Sequence, residues 1–208
     1  SGIVPRTPPI DGIDHPKVLS YLECTARTKR RLQQSCHHRL WRIGFDTAMY
    51  LSQPGESTSQ NIAGFCNEWG IDSSYNSWWL KPQGMQIPRS PRQIVMLQRK
   101  ASKPGQGLGK PPAGSIAPTL LSRGVKMIPG VSYQKIDDDG LHVVINGETQ
   151  VLAVDNVVIC AGQEPNRALA QPLIDSGKTV HLIGGCDVAM ELDARRAIAQ
   201  GTRLALEI

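Results

Sequence analysis

The residues with the clearest chemical potential lie near the C-terminal end, where a pair of glycines precedes an acid. An apolar segment, residues 180–183, predicts a short strand. Four candidate ligand-binding residues follow it: Gly184, Gly185, Asp187 and Val188. An Ala-rich helix is predicted next, opening with Glu191 and Asp193. Bare backbone can approach a ligand closely, and a helix N-terminus attracts anionic or hydrogen-bond-accepting groups. The pattern predicts a ligand-binding turn; the alternative is an ordinary strand–turn–helix that closes an α/β domain.

A second candidate site follows the compact apolar run from Gln93 to Arg99, which predicts a buried strand. Arg99 and Lys100 stand at its end, where a dinucleotide-binding fold meets the adenosine ribose. An acid at this position accepts the ribose 2′-hydroxyl, whereas a cation suits a 2′-phosphate. The alternative is a solvated strand end. The glycine-rich loop that follows, with Lys103 and Lys110, adds only weak support.

The N-terminal patterns predict few regular elements. Residues 1–16 are rich in proline and predict an extended connector, and residues 17–22 predict the beginning of a helix. Residues 44–52 have helical spacing and stop before Pro54. Residues 55–90 are polar and weakly patterned, which predicts a long excursion on the surface.

The second half predicts strands around a meander. Residues 120–123 end a short helix before the strand 125–128, and residues 133–153 predict three antiparallel strands joined by Asp138-Asp139-Gly140 and by Asn146-Gly147. Residues 156–162 predict a second buried strand ending in Gly162. This order predicts an α/β fold with a Rossmann-like sheet and a β-meander crossover.

The net charge of +5 has a local source. Between Cys24 and Arg42 the chain carries cations and no acid: Arg27, Lys29, Arg30, Arg31, Arg39 and Arg42. They exceed the whole net excess, so the rest of the chain is close to neutral. Such a cluster could be a phosphate-binding patch or a solvated arm.

The cysteine content and the N-terminal sequence indicate the expected cellular location. The five cysteines are odd in number and irregularly spaced, which favours a reducing, cytoplasmic location over a disulfide framework. No run is long and apolar enough to span a bilayer, and the N-terminus lacks the features of a signal peptide. The chain begins with Ser1, which indicates a fragment or a processed piece.

Several segments together resemble one flavoprotein family. Residues 1–12 are similar to the exit loop of two-dinucleotide-binding flavoproteins, residues 157–166 to their Ala-x-Gly…Pro-Asn loop, and residues 184–187 to their closing flavin motif. With residues 97–110, the chain closely resembles the C-terminal third of bacterial NADPH-dependent 2,4-dienoyl-CoA reductases. These enzymes belong to the trimethylamine dehydrogenase family of iron–sulfur flavoproteins, which are old yellow enzyme-like. The likeness covers nearly the whole chain, with three discordant stretches.

The resemblance implies which part of the protein binds each cofactor. Residues 1–165 would be an NADPH-binding domain, and residues 166–208 the C-terminal segment of an FAD-binding domain. FMN, the 4Fe–4S cluster and the dienoyl-CoA site would belong to an N-terminal barrel, so this barrel and the remainder of the FAD domain would be partners. NADPH would pass hydride to FAD in support of dienoyl-CoA reduction during β-oxidation, and this piece alone would be inactive. The implied cofactor-binding residues are Gly44, Arg99, Lys100, Gly162, Gly184, Gly185, Asp187 and Val188, with Asp187 on the flavin ribityl or pyrophosphate.

The expected phosphate cradle departs from the family pattern. The first strand should run into Gly-x-Gly-x-x-Gly, yet residues 35–44 read Ser-Cys-His-His-Arg-Leu-Trp-Arg-Ile-Gly and keep only Gly44. For one choice of codons, reading residues 35–42 one base later gives Val-Ala-Ile-Ile-Gly-Cys-Gly-Gly. A similar shift at residues 110–118 gives Lys-Thr-Thr-Gly-Trp-Ile-His-Arg-Thr.

From these shifts we infer out-of-frame translation of residues 23–42, 75–81 and 111–118. The inference predicts a missing first strand, weak folding and poor NADPH binding.

Two other functions stay open at this point. One is a non-catalytic nucleotide-binding or electron-input module, like the small subunits of glutamate synthase-type assemblies. The other is a basic nucleic-acid-binding protein, which rests only on residues 24–42. No metal site is expected: Cys24 with residues 36–38 lacks zinc spacing, and residues 137–140 lack the later ligands of a calcium loop. Cys160 and Cys186 are predicted to pack beside buried strands.

Overall fold

A computed structural model describes residues 2–26, 34–38, 42–74, 81, 83–106, 116–189 and 194–208. The chain divides into two compact units. The large unit is Pro9–Cys160, and the small unit combines Ser1–Pro8 with Ala161–Ile208. The boundary expected at residue 165 therefore falls inside the small unit, which also takes up the N-terminal residues. The assignment of the two parts to NADPH and FAD stays a prediction.

The described elements are short. The strands are β1 (Gly2–Pro5), β2 (Val18–Ser20), β3 (Gln34–His38), β4 (Gln93–Leu97), β5 (Lys126–Ile128), β6 (Ser132–Asp137), β7 (Gly140–Ile145), β8 (Glu148–Leu152), β9 (Asn156–Ile159) and β10 (Gln163–Asn166). The helices are α1 (Tyr21–Ala26), α2 (Arg42–Leu51), α3 (Ile62–Glu68), α4 (Ile116–Ser122), α5 (Ala170–Asp175) and α6 (Ala194–Glu207). Within the described ranges, none of them combines the length and apolarity that a membrane crossing requires.

A five-stranded parallel sheet organises the large unit, in the order β2-β9-β3-β4-β5. Its interior strands carry buried apolar side chains, among them Met96 on β4 and Val157 and Val158 on β9. Parallel strands covered on both faces read as near-continuous apolar runs, which explains why β4 and β9 are recognisable from the sequence. Both predicted buried strands are confirmed.

The centre of this sheet is β3, a strand that the sequence did not predict. Cys36 is paired with Val157 on one side and with Val95 on the other. The expectation of a missing first strand is therefore wrong for the backbone. Ladder hydrogen bonds join peptide groups, so a strand can pair whatever its side chains are. Its sequence, Gln-Ser-Cys-His-His, still departs from the apolar composition of a central parallel strand.

Helices α2 and α4 pack on the sheet and supply much of the core. Phe45 and Leu51 of α2 and Leu120 of α4 are buried together with Ile94 and Met96. The predicted helix at residues 44–52 and the short helix before residue 123 are confirmed. The helix expected at residues 17–22 begins instead as β2, because Val18–Ser20 is paired with β9. Helix α1 begins only at Tyr21.

A three-stranded antiparallel meander, β6-β7-β8, is confirmed as predicted. Asn146 has φ +53 and Gly147 has φ +85, and positive φ at both central residues is what a two-residue type I′ hairpin requires. Asp137, Asp139 and His142 bring their ligand atoms within 4.8 Å of one another near the other turn. Asp137 already accepts from Lys135 Nζ and His142 Nε2, each at 2.8 Å, and these bonds hold the pKa of the Asp137 carboxyl well below its usual range.

The segment predicted as a surface excursion, residues 55–90, is anchored to the core by a buried ion pair. Glu68, at the end of α3, lies 3.0 Å from Arg123, and their side chains are 9% and 5% exposed. Arg123 also donates to the Met49 carbonyl and the Ser52 hydroxyl, each at 3.1 Å. Thr58 donates to the other oxygen of Glu68. Sequence patterns gave no sign of this anchor, because its members lie far apart in the chain.

The small unit differs from the expectation in two places. Residues 2–5 are not a free connector but form β1, which pairs antiparallel with β10. The strand expected at residues 180–183 is absent. A strand needs the peptide groups of a neighbour, and among the described residues of the small unit only β1 and β10 pair.

The small unit has little core of its own. In its described ranges, the only buried apolar side chains are those of Ala161 and Ala189. Many of its large apolar side chains are exposed instead: Val4, Leu169, Leu173, Ile174, Ile183, Val188, Ile198, Leu206 and Ile208. Burial of apolar surface is the main favourable term in folding, so a unit of this composition needs further surface to cover it.

Candidate functional site

The most organised loop of the small unit is the turn at Gly184–Cys186, which forms one turn of 3-10 helix. Gly184 has φ +63, a left-handed backbone conformation that glycine adopts without steric cost. Gly184 and Gly185 are both buried. The requirement for glycine at position 184 is thus explained by backbone geometry.

Gln200 of α6 ties the two ends of this turn together. Its side-chain oxygen accepts from the Gly184 N–H at 2.8 Å, and its side-chain nitrogen donates to Asp187 Oδ2 at 2.6 Å. Asp187 Oδ1 accepts no hydrogen bond from another described residue. The carboxylate is therefore oriented through one oxygen and can accept from a ligand hydroxyl with the other.

Two arginines hold the backbone that carries Asp187. Arg167 donates from Nε to the Cys186 carbonyl at 2.8 Å and from a terminal nitrogen to the Asp187 carbonyl at 2.6 Å. Arg196 donates to the Val188 carbonyl. Charge-assisted bonds to carbonyls are among the stronger hydrogen bonds in proteins, so they fix the loop. Arg196 thus supports the loop from helix α6.

The sequence did not point to Gln200 or Arg167. Neither residue lies at a recognisable motif spacing from the turn. Arg167 donates to backbone carbonyls, which any residue would supply. Gln200 binds one backbone N–H and the Asp187 side chain from a separate helix. Of the residues predicted here, Gly184, Gly185 and Asp187 come together in one turn. Val188 follows them and is 42% exposed. Glu191 and Asp193 lie outside the described residues.

Gly162 belongs to the same unit but not to this turn. It has φ +102, and its carbonyl accepts from the Arg6 N–H at 3.0 Å. This bond continues the pairing between β1 and β10. Gly162 therefore lets the chain bend between β9 and β10, and its predicted cofactor contact stays a prediction.

The large unit brings the other predicted residues to the carboxyl edge of its parallel sheet. His38 and Leu97, the last residues of β3 and β4, are paired in register, so α2 and Arg99 follow at the same edge. Ligands bind at this edge in open α/β sheets. Gly44 is buried within the first turn of α2, as the last glycine of a dinucleotide fingerprint must be for close helix packing. The residues expected to replace the other glycines, 39–41, lie outside the described residues.

Arg99 and Lys100 follow β4 and are both exposed. They form a turn that begins at Gln98, a polar residue that is only 7% exposed. The predicted pair of cations is therefore in place at the sheet edge, free of the core. Gly107, Gly109 and Lys110 of the loop beyond it lie outside the described residues, as do Arg27, Lys29, Arg30, Arg31 and Arg39 of the basic cluster.

The prediction that Cys160 is a packing residue is confirmed. Its side chain is fully buried, and burial raises the pKa of the Cys160 thiol to about 12. Burial also raises the pKa of Cys24, against the opposing effect of Arg92. Cys186 differs from the prediction: it is partly exposed, lies in the turn and not beside a buried strand, and donates to the Ile183 carbonyl.

Native alkylation will distinguish folded from unfolded Cys160. At pH 8, iodoacetamide should modify Cys160 roughly a thousandfold more slowly in the folded chain than in urea, because the thiolate is the nucleophile and burial suppresses it. Peptide mass spectrometry after timed alkylation measures both rates. Equal rates would show that the core around Cys160 opens freely.

Comparison with known proteins identifies the fold. No protein-family model matches the sequence. A mercuric reductase of Staphylococcus aureus is 34% identical over 56 residues, which are 25% of this chain and 10% of that protein. A 2-naphthoyl-CoA reductase structure is similar over 100% of this chain and 26% of its own, with a TM-score of 0.69 and 19% identity. The flavoprotein disulfide reductase RclA of Escherichia coli matches 100% of this chain and 43% of its own, with a TM-score of 0.59 and 16% identity.

A thioredoxin reductase of T. acidophilum is similar over 99% of this chain and 62% of its own, with a TM-score of 0.60 and 12% identity. By their names these three neighbours are reductases, and one of them is a flavoprotein. The predicted α/β, Rossmann-like fold is confirmed as the FAD/NAD(P)-binding oxidoreductase fold. The chain spans about a quarter of the naphthoyl-CoA reductase chain and a tenth of the mercuric reductase.

Proposed function

We propose that the chain is the C-terminal part of a flavin oxidoreductase that passes hydride from NADPH to FAD in support of 2,4-dienoyl-CoA reduction. The observation that carries the proposal is the Asp187 turn. It holds a carboxylate with one oxygen open, on a backbone fixed by Gln200 and Arg167, in a chain with the fold of FAD/NAD(P)-binding oxidoreductases.

The residues of the turn fit a flavin nucleotide. Gly184 and Gly185 add no side chains beside Asp187, and Asp187 Oδ1 can accept from a ribityl hydroxyl. FAD, when bound, accepts hydride and passes its electrons on singly. The chain's own contribution is orientation: Gln200 sets the carboxylate, and Arg167 sets the peptide planes beside it.

The carboxyl edge of the parallel sheet fits NADPH at its adenosine end. Arg99 and Lys100 offer two exposed cations where the fold meets the ribose 2′-phosphate. Gly44 allows α2 to pack closely with its N-terminus toward the pyrophosphate. Residues 39–42 replace the remaining fingerprint glycines, so NADPH affinity is expected to be low.

The exposed apolar side chains of the small unit support the proposal that this unit packs against a partner. Residues 180–182 have no strand partner among the described residues, and helix α6 of the same unit carries the exposed Ile198. In the proposed whole protein, the remainder of the FAD domain would supply a strand that pairs with this backbone and an apolar surface that covers the exposed side chains. The dienoyl-CoA substrate rests on the family resemblance and on the similarity to a 2-naphthoyl-CoA reductase. Its pocket would lie in the barrel, so this chain alone should show no turnover.

The proposal is tested by expressing the reading frame that contains this chain together with the coding sequence upstream of it. The purified protein should carry FAD and should oxidise NADPH when a 2,4-dienoyl-CoA is added. Residues 1–208 alone should not. A longer protein that retains no flavin would contradict the proposed FAD site. One that oxidises NADPH equally fast with and without the dienoyl-CoA would contradict the proposed substrate.

In that longer protein, Asp187→Ala should weaken FAD binding about tenfold, because it removes a charge-assisted hydrogen bond worth about 1.5 kcal/mol. Flavin released on dilution reports the dissociation constant. The matched control is Asp175→Ala, which removes an exposed carboxylate from α5 of the same unit. Equal flavin retention by the two variants would show that Asp187 does not contact the flavin.

A further inference from the structure

The turn that carries Arg99 and Lys100 is fixed by one buried amide. Gln98 directly follows β4, and its side chain is 7% exposed. Its amide nitrogen donates to the Lys100 carbonyl at 2.9 Å and to the Ser102 carbonyl at 2.8 Å. Both protons of the amide are therefore used on the backbone of the turn.

The same turn is also tied to the segment that follows β5. The Gln98 N–H donates to the Ile128 carbonyl, and the Gln98 carbonyl accepts from the Val131 N–H, each at 2.9 Å. The Gly130 N–H donates to the Lys100 carbonyl at 3.1 Å. Lys100 thus has its carbonyl held from two sides, and the turn of residues 99–102 is fixed at both ends.

The chemistry of this position excludes a carboxylate. In dinucleotide-binding folds, an acid near this strand end accepts the ribose hydroxyls. An ionised Glu has no proton to donate, so it would remove the side-chain donor from the Ser102 carbonyl and leave the Lys100 carbonyl with the Gly130 N–H alone. Its charge would also repel a phosphate. A neutral amide satisfies the carbonyls and leaves the two cations as the nearest charges.

We propose that Gln98 is a specificity-determining residue that selects 2′-phosphorylated nucleotides by holding the cationic turn of Arg99 and Lys100. The inference rests on the proposed NADPH function. Gln98 acts through the turn and does not touch the phosphate. Fixing the turn before binding reduces the ordering cost of two long side chains, which is how preorganisation raises affinity.

The test compares adenosine 2′,5′-bisphosphate with 5′-AMP, because the two probes differ only in the 2′-phosphate. Binding to residues 1–208 is followed by NMR shifts of the amides of residues 99–102 at millimolar probe concentration. The ratio of the two dissociation constants is the readout, since a partial loss of folded protein affects both probes equally.

The unaltered chain should prefer the bisphosphate. Gln98→Glu should abolish the preference. Gln98→Leu should reduce it about tenfold, which corresponds to the loss of one charge-assisted hydrogen bond between a cation of the loosened turn and the 2′-phosphate. Gln93→Leu, at the exposed opposite end of β4, is the matched control and should keep the preference. Arg99→Ala with Lys100→Ala should remove it.

The possible outcomes distinguish the proposed role of Gln98 from the proposed NADPH site. If the double variant loses the preference and both Gln98 variants keep it, Gln98 is not a specificity residue, and the NADPH site stands. If the unaltered chain shows no preference, or gives no response to the bisphosphate, the cationic turn is not a 2′-phosphate site, and both proposals fall.

Discussion

Replacing Ser35-Cys36-His37-His38 with Val-Ala-Ile-Ile should raise the thermal midpoint by about 10 °C. Residues 35–38 form most of β3, which lies between β9 and β4 at the centre of the parallel sheet. The neighbouring strands bury Val157, Val158 and Met96 completely. Each large apolar side chain that becomes buried contributes about 1.5 to 3 kcal/mol relative to exposure. Even partial burial of the new side chains gives a gain near 3 kcal/mol, which corresponds to the stated shift for a chain of this length.

The loop beyond β3 can be restored separately. Arg39→Gly, Leu40→Cys, Trp41→Gly and Arg42→Gly recreate the glycine-rich turn of the shifted reading frame. This second set should raise NADPH affinity at least tenfold with little change in midpoint, because glycines allow close approach of the pyrophosphate but bury no apolar surface. Calorimetry measures the midpoint, and titration of protein fluorescence with NADPH measures the affinity.

The two sets are controls for one another. The strand set should act on stability, the loop set on binding, and their combination on both. A strand set that lowers the midpoint would show that the polar residues of β3 are already accommodated, and the out-of-frame interpretation would lose its physical support.

The parts of the fold that sequence predicted are those with local signals. The meander follows from alternating residues and from Asn146-Gly147, whose turn needs positive φ. Strands β4 and β9 follow from apolar runs, and α2 from its spacing and the proline after it. Each of these patterns lies within a few consecutive residues, so the element can be predicted without knowing the rest of the chain.

The parts that sequence missed depend on distant partners. Strand β3 exists because two neighbours offer peptide groups, and its own side chains give no strand signal. Residues 180–183 fail for the converse reason: their pattern is right, but the small unit offers them no neighbour among its described strands. Gln200 and Gln98 were missed because each supports a predicted residue from another element or through backbone atoms.

The buried pair of Arg123 and Glu68 leads to the second large effect. Arg123→Met should lower the free energy of unfolding by about 3 to 5 kcal/mol, because it leaves the Glu68 carboxylate buried without its counter-ion. The same change removes the Arg123 donor from the Ser52 hydroxyl and from the Met49 carbonyl, which keeps the Ser52 hydroxyl as a donor. Urea unfolding followed by circular dichroism measures the loss.

The double variant decides whether the loss comes from an orphaned charge or from missing packing. Arg123→Met with Glu68→Met should recover a large part of the single-variant loss, because two apolar side chains replace two charges and neither is left unpaired. Lys135→Met removes the cation of the exposed pair with Asp137 and should not measurably shift the urea midpoint. If the double variant is as unstable as the sum of its singles, the pair is not coupled. Residues 55–90 would then be anchored to the core by other contacts, and the single-variant loss would reflect packing around Arg123.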